Sequence, residues 1–177
     1  MNHDTYDDAY IAGILSGVRM FAAVGASANP ARPSYIVVKY LLSKGYGVHP
    51  VNPGLAGQDL LGRKTYARLA DVPAPVDAVD IFRNSEAALG ITREAIALKD
   101  VLGIKVIWMQ LGVRNDVAAA EAESAGLQVV MDRCPKNEYG RFSGEIGWYG
   151  VNSGRLSSQR PLLSPGGVQG LSIERKP

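Results

Sequence analysis

From position 18 to position 24 the chain is almost continuously apolar (Val18, Met20, Phe21, Ala22, Ala23, Val24), and the run stops at Gly25. Continuous rather than alternating apolarity marks a strand covered on both faces, which is the habit of parallel sheets. A parallel neighbour cannot be reached through a hairpin, so the connection must cross over, usually through a helix. The residues after Gly25 supply that helix start. Ala26, Ser27, Ala28, Asn29, Pro30, Ala31, Arg32, Pro33 and Ser34 form a short small-residue loop leading into apolar positions at helical spacing. Strand, tight loop and helix together present backbone N–H groups at a helix N-terminus, a simple device for holding a phosphate.

The same alternation continues along the chain. Ile36, Val37, Tyr40 and Leu41 are spaced as one helix face with Gly45 as its stop, and residues 47–51 follow as a second strand. Residues 53–76 lose regular patterning apart from a short helix expected around 66–69, and residues 76–82 read as a third strand. A helix is expected over 85–102, with Ser85 as N-cap and Gly103 beyond its end. Residues 104–109 read as a fourth strand, 115–125 as a helix ending at Gly126, and 127–131 as a fifth strand. Ahead of all this, residues 5–16 carry Tyr6, Tyr10, Ile11, Ile14 and Leu15 at helical spacing with the acidic residues Asp4, Asp7 and Asp8 near their start, which suits a short packing helix or lid.

This order predicts an α/β, Rossmann-like doubly wound domain: a five-stranded parallel sheet with helices on both faces. Beyond Met131 the periodicity disappears. The reading places one domain over 1–155, with an aromatic and apolar cluster at Trp148, Tyr149 and Val151 packed on it, and an extension over 156–177 as a tail. With 177 residues, one core suffices to fold the chain.

Composition excludes several classes. No apolar run reaches the roughly 20 residues of a membrane span, and the first eight residues are acidic and polar, unlike a signal peptide; a cytoplasmic protein is expected. Cys134 alone cannot form an internal disulfide, and with only His3 and His49 there is no soft ligand set for a metal. A formal net charge of +2 is too small to announce a nucleic-acid surface, so the expected partner is a small molecule.

In an open parallel sheet, ligands bind at the carboxyl ends of strands near the point where strand order reverses. That rule selects Gly25, Ala26, Ser27, Asn29 and Arg32 after the first strand, Val51, Asn52 and Pro53 after the second, and Phe82, Arg83 and Asn84 after the third. Met109, Gln110, Leu111 and Gly112 follow the fourth strand, and Asp132, Arg133, Cys134 and Lys136 the fifth. All are expected to converge on one cleft with arginines, amides and hydroxyls, and an apolar wall from Val51, Pro53, Phe82 and Trp108. This mixture suits an anionic ligand carrying a flat base. Plainer roles stand beside it: Ser27 as a turn cap, Asn52 as a turn residue, Arg83 and Arg133 as surface charges, Phe82 and Trp108 as core.

A dinucleotide fingerprint would require G-x-G-x-x-G after the first strand and an acid at the end of the second. Here Gly25 is the only glycine of the loop, Ser27 stands two residues on, and the second strand ends in Asn52, which weakens a nicotinamide reading. No G-x-x-x-x-G-K-[ST] occurs either.

Five stretches in order resemble the small stand-alone CoA-binding proteins, which are similar to the N-terminal Rossmann domain of the succinyl-CoA ligase alpha subunit. They are Val24 through Ser34, then Val51-Asn52-Pro53, Val79-Asp80-Ile81-Phe82-Arg83, Trp108-Met109-Gln110 and Met131-Asp132-Arg133-Cys134. The resemblance implies a site for coenzyme A or a related adenine nucleotide. By position, Gly25, Ala26 and Ser27 would meet phosphate with Arg32 offering charge, Asn29 and Ser34 belonging to the same loop and helix start. Val51, Asn52 and Pro53 would border the adenosine, and Phe82 and Arg83 would flank it, with Gln110 and Asn137 as further candidates. The segment 135–139 follows the family pattern only loosely.

For catalysis the candidates are Cys134, His49 and Glu138. Arg133 and Lys136 beside Cys134 could lower its thiol pKa and permit exchange with the thiol of CoA, whereas a half-buried cysteine would be inert. His49 sits mid-strand, and no G-x-S-x-G context appears. The reading is of a CoA-binding module without established catalysis. A CoA-dependent acyl-transfer or ligase-like enzyme, and an NAD-binding or regulatory nucleotide-sensing protein, remain as alternatives.

Overall fold

The computed structural model describes residues 1–143. Its elements run α1 (Asp8–Gly17), β1 (Met20–Val24), α2 (Pro33–Ser43), β2 (Gly47–Val51), a 3-10 turn (Pro53–Leu55), β3 (Asp59–Leu60), β4 (Arg63–Lys64), a second 3-10 turn (Leu69–Asp71), β5 (Ala78–Ile81), α3 (Ser85–Leu102), β6 (Val106–Met109), α4 (Asp116–Ser124), β7 (Gln128–Val130) and α5 (Pro135–Phe142). Five strands form one parallel sheet in the order β2-β1-β5-β6-β7, and β3 and β4 make a small antiparallel pair beside it. The Rossmann-like expectation holds.

Each strand sends alternate side chains to opposite faces. Ala22, Val79, Ile81, Ile107, Met109 and Val129 pack under α3 and α4, while Phe21, Ala23, Ala78, Val106, Trp108 and Val130 pack under α1, α2 and α5. Strand order reverses between β1 and β5, because β2 lies on one side of β1 and all later sheet strands lie on the other. The carboxyl ends of β1 and β5 are joined there, Phe82 N–H donating to the Val24 carbonyl at 2.9 Å.

Several local expectations are corrected. Asn84, not Ser85, caps α3: its side chain accepts from Ala87 N–H. Ser85 instead accepts from Arg114 N–H through its hydroxyl and from the Asn115 amide through its carbonyl, tying the starts of α3 and α4. The short helix expected around 66–69 begins at Leu69, because Tyr66 is held in a bridge to Val51. Residues after Met131 are not aperiodic loop: Asp132 takes a φ of 51° and turns the chain into α5. The cluster at Trp148, Tyr149 and Val151, the boundary at 155 and the extension 156–177 lie outside the described residues.

α1 begins at Asp8, later than the expected residue 5, because the Asp7 side chain caps it by accepting from Ala9 N–H; it buries Ile11, Ile14 and Leu15. Tyr10 of this helix and Tyr6 just ahead of it cover the edge strand β7. Tyr10 Oη accepts from Val129 N–H and donates to the Val129 carbonyl, and Tyr6 Oη accepts from Met131 N–H at 2.7 Å. Unpaired edge groups invite pairing with other chains, and these hydroxyls satisfy them.

Candidate functional site

Gly25 has a φ of 91°, a left-handed conformation in which a side chain is strained. It ends β1 by turning its N–H back to the Val51 carbonyl at 2.9 Å, and Ala26 N–H follows to the same oxygen at 3.3 Å. The Asn52 side chain completes the corner, donating from Nδ2 to the Ala26 carbonyl at 2.7 Å and accepting from Gly54 N–H at 2.8 Å. The ends of β1 and β2 are thereby locked together. Asn52 braces the loop with both ends of its amide.

Beyond this corner the loop is a chain of side-chain turns. Ser27 Oγ accepts from Asn29 N–H, Asn29 Oδ1 accepts from Ala31 N–H, and the Asn29 carbonyl accepts from Arg32 N–H. Ser27 and Asn29 shape the turn through these bonds. The amides of Ser27, Ala28 and Ser34 have no protein acceptor among the described residues. Pro33 takes the first helical position of α2, where a missing N–H costs nothing, and Arg32 at the N-cap makes no side-chain cap. The helix start therefore keeps free donors and its positive dipole end. Ser34 is buried, and Arg32 is exposed.

Arg83 follows β5 and comes across to the same loop. A β-carbon built on Gly25 would stand 3.1 Å from Arg83 Cδ and 3.3 Å from its Cγ. Its guanidinium has no acid or acceptor among the described residues, whereas Arg68, Arg93, Arg114 and Arg141 all hold carboxylates. Between these groups lies a cleft of about 350 Å³. Val24, Gly25, Val51, Asn52, Pro53 and Arg83 form its floor and one wall. Residues 67–69 and the α3 face of Ala87, Ile91 and Glu94 form the other.

The cleft gathers only part of the expected residues. Gly25, Val51, Asn52, Pro53 and Arg83 line it; Ala26 is buried beneath the corner; Ser27, Asn29, Arg32 and Ser34 belong to the adjoining loop and helix start. Phe82 packs toward the opposite face, with the core under α1, α2 and α5. The expectation that all five strand ends share one cleft is overturned for β6 and β7. Trp108 is fully buried on the opposite face and donates from Nε1 to the Arg133 carbonyl, so it forms no wall. Gln110 is buried and donates from Nε2 to both oxygens of Asp80 at 2.9 and 3.0 Å. Asp80 is wholly enclosed; burial pushes its carboxyl up to about 8, and the Gln110 bond only partly opposes this. Asp132 Oδ1 accepts from Gly112 N–H, which joins the loops after β6 and β7.

The thiol of Cys134 behaves contrary to activation by its basic neighbours. Burial pushes its pKa up to about 11; the amides of Asn137 and Lys136 and the Lys136 charge pull the other way and do not offset it. Asn137 thus contributes its backbone to the start of α5. His49 lies edge-on to Tyr66, its pKa lowered by burial and by Arg63. Glu138 is buried against Arg141 at 2.8 Å and faces Arg133 at 3.8 Å.

Sequence reasoning missed the second wall of the cleft. Ala87, Ile91 and Glu94 stand at i, i+4 and i+7, so their shared face was recoverable once the helix after β5 was recognised. Residues 67–69 carry no periodic signal.

A family model described as a CoA binding domain matches residues 19–140. The uncharacterized protein YneT of Bacillus subtilis (strain 168) is 34% identical over 128 residues, spanning 72% of this chain and 90% of that protein. A hypothetical protein from Pyrococcus horikoshii OT3 superposes with a TM-score of 0.74 at 38% identity, over 81% of this chain and 97% of that one. The dinucleotide-forming acetyl-coenzyme A synthetase 1 of Ca. Korarchaeum cryptofilum, solved with phosphate and ADP, is similar over 64% of this chain but only 26% of its own, with a TM-score of 0.53 and 26% identity.

Proposed function

The chain belongs to the CoA binding domain family, and on that premise we propose that it binds coenzyme A, or a related adenine nucleotide, in the cleft at the carboxyl ends of β1, β2 and β5. The observation that carries the reading is the Arg83 side chain, whose aliphatic stem lies against Gly25 where strand order reverses and whose guanidinium has no partner among the described residues. An unpaired cation beside free helix-start amides suits a phosphate. The residues fit such a group: Gly25 lets the backbone come close where a β-carbon would crowd Arg83, and Ser27, Ala28 and Ser34 keep amides available.

In this reading Gly25, Ser27, Ser34, Arg32 and Arg83 meet the phosphates, and Val51, Pro53 and Ile91 give the base an apolar surface. Ala26, Asn29 and Asn52 hold the loop in shape. Phe82 and Gln110 support the strand ends from the opposite face. The protein acts as a cytoplasmic binding module for a small molecule, not for nucleic acid. The buried, protonated thiol of Cys134 supports binding over catalysis, since the thiolate is the nucleophile. Acyl-CoA formation or hydrolysis abolished by Cys134→Ser would displace the module reading in favour of an enzyme.

Calorimetric titration with CoA, ADP, ATP and NAD tests the proposal. CoA is expected to bind tightest; no heat with CoA, or clear preference for NAD, overturns it.

A further inference from the structure

The cleft has a direction. At one end stand Gly25 and Arg83, unpaired among the described residues, beside the first turn of α3; Ala87, Ile91 and Glu94 then run along one face of that helix. Seven residues at 1.5 Å each make this wall about 10 Å long, which leaves room for a ribose and a base in line. Glu94 is therefore far from the phosphate end. It is the one carboxylate in the cleft wall among the described residues.

The protein makes little use of that carboxylate. One oxygen of Glu94 accepts a long bond from Ala70 N–H at 3.4 Å, and the other has no hydrogen-bond partner among the described residues. Arg68, the nearby cation, is held by both oxygens of Asp71 at 3.0 and 3.4 Å. A half-buried carboxylate at the end of an apolar slot accepts hydrogen bonds and donates none.

We propose that Glu94 reads the base, selecting a purine with an exocyclic amine at its six-position over one with a carbonyl there. A carboxylate facing the six-position accepts from adenine's exocyclic amine, whereas hypoxanthine turns an oxygen there and keeps its donor only at ring N1. This rests on the reading of the cleft as a nucleotide site. It adds to that reading a determinant of which nucleotide enters.

The test compares ADP with inosine diphosphate, which differ only at that edge, on the full chain and on Glu94→Gln, with folding checked by thermal unfolding. A hydrogen bond to a charged group that remains half-exposed is expected to give the wild-type chain about a fivefold preference for ADP. A glutamine can either accept or donate, so Glu94→Gln is expected to bring the two affinities within about twofold by weakening ADP and sparing the inosine nucleotide. Equal wild-type affinities, or a preference that survives in Glu94→Gln, overturn the role of Glu94 while leaving the nucleotide site intact. Binding of neither diphosphate nor CoA by the wild-type chain overturns the site itself.

Discussion

Arg83 lies across Gly25 with its Cδ 3.1 Å from where a β-carbon would stand, so the end of β1 and the end of β5 meet through a side chain on a bare backbone. The two residues are adjacent because β1 and β5 pair side by side in the sheet, at the point where strand order reverses. A substitution at either position therefore acts on the same corner.

Gly25→Ala is expected to lower both stability and affinity. The residue would have to hold a φ of 91° and push Arg83 aside, at a cost of about 1–2 kcal/mol in folding. Arg83→Ala removes the charge without the strain. It is expected to weaken CoA binding about tenfold and leave the thermal midpoint almost unchanged, a split that calorimetry and a melting curve read together.

The edge of β7 gives an independent prediction away from the cleft. Tyr10→Phe leaves both the N–H and the carbonyl of Val129 without the hydroxyl that bonds them, and Tyr6→Phe does the same to Met131 N–H. Each is expected to cost about 1–2 kcal/mol in urea denaturation. CoA affinity should not change.

Asp80 predicts an unusual pH dependence. Its carboxyl titrates near 8 in the folded chain and close to 4 when unfolded, so between those values the native state holds the extra proton. Its contribution to stability is full below about pH 4 and is lost as pH rises toward about 8. Asp80→Asn, which keeps a polar partner for Gln110, is expected to flatten the fall. Denaturation at pH 5, 7 and 8.5 checks the sign: wild-type stability rising over this range because of Asp80 would contradict its burial as a neutral acid.

Cys134 should resist thiol reagents. With its pKa near 11, the thiolate at neutral pH is on the order of 100-fold scarcer than for a free cysteine, and enclosure slows access further. Native protein is expected to react at least about 100-fold more slowly than protein unfolded in urea. Equal rates would show an exposed, activated thiol.

The sheet was legible because its strands are the chain's continuous apolar runs, from Phe21-Ala22-Ala23-Val24 to Val106-Ile107-Trp108-Met109. α5 was not, because the residues it buries are Pro135, Glu138 and Gly140, which carry no apolar period; Glu138 is buried by pairing with Arg141. Trp108 and Gln110 were misplaced for a related reason. A position near a strand end does not say which face the side chain takes, and both turn to the face under α1, α2 and α5 or into its polar pair with Asp80. Asn52 was correctly located at the corner, yet its role as a brace depends on the Ala26 carbonyl, a partner that no sequence spacing reveals.

The central claim, that coenzyme A occupies the cleft between the ends of β1, β2 and β5, is tested most directly by amide chemical-shift mapping during a CoA titration. Saturable shifts should concentrate at Gly25, Ser27, Ala28, Ser34, Asn52, Arg83 and Ile91. Saturable shifts confined to the far ends of β6 and β7 or to the α1–α5 face, with these amides unmoved, would contradict it.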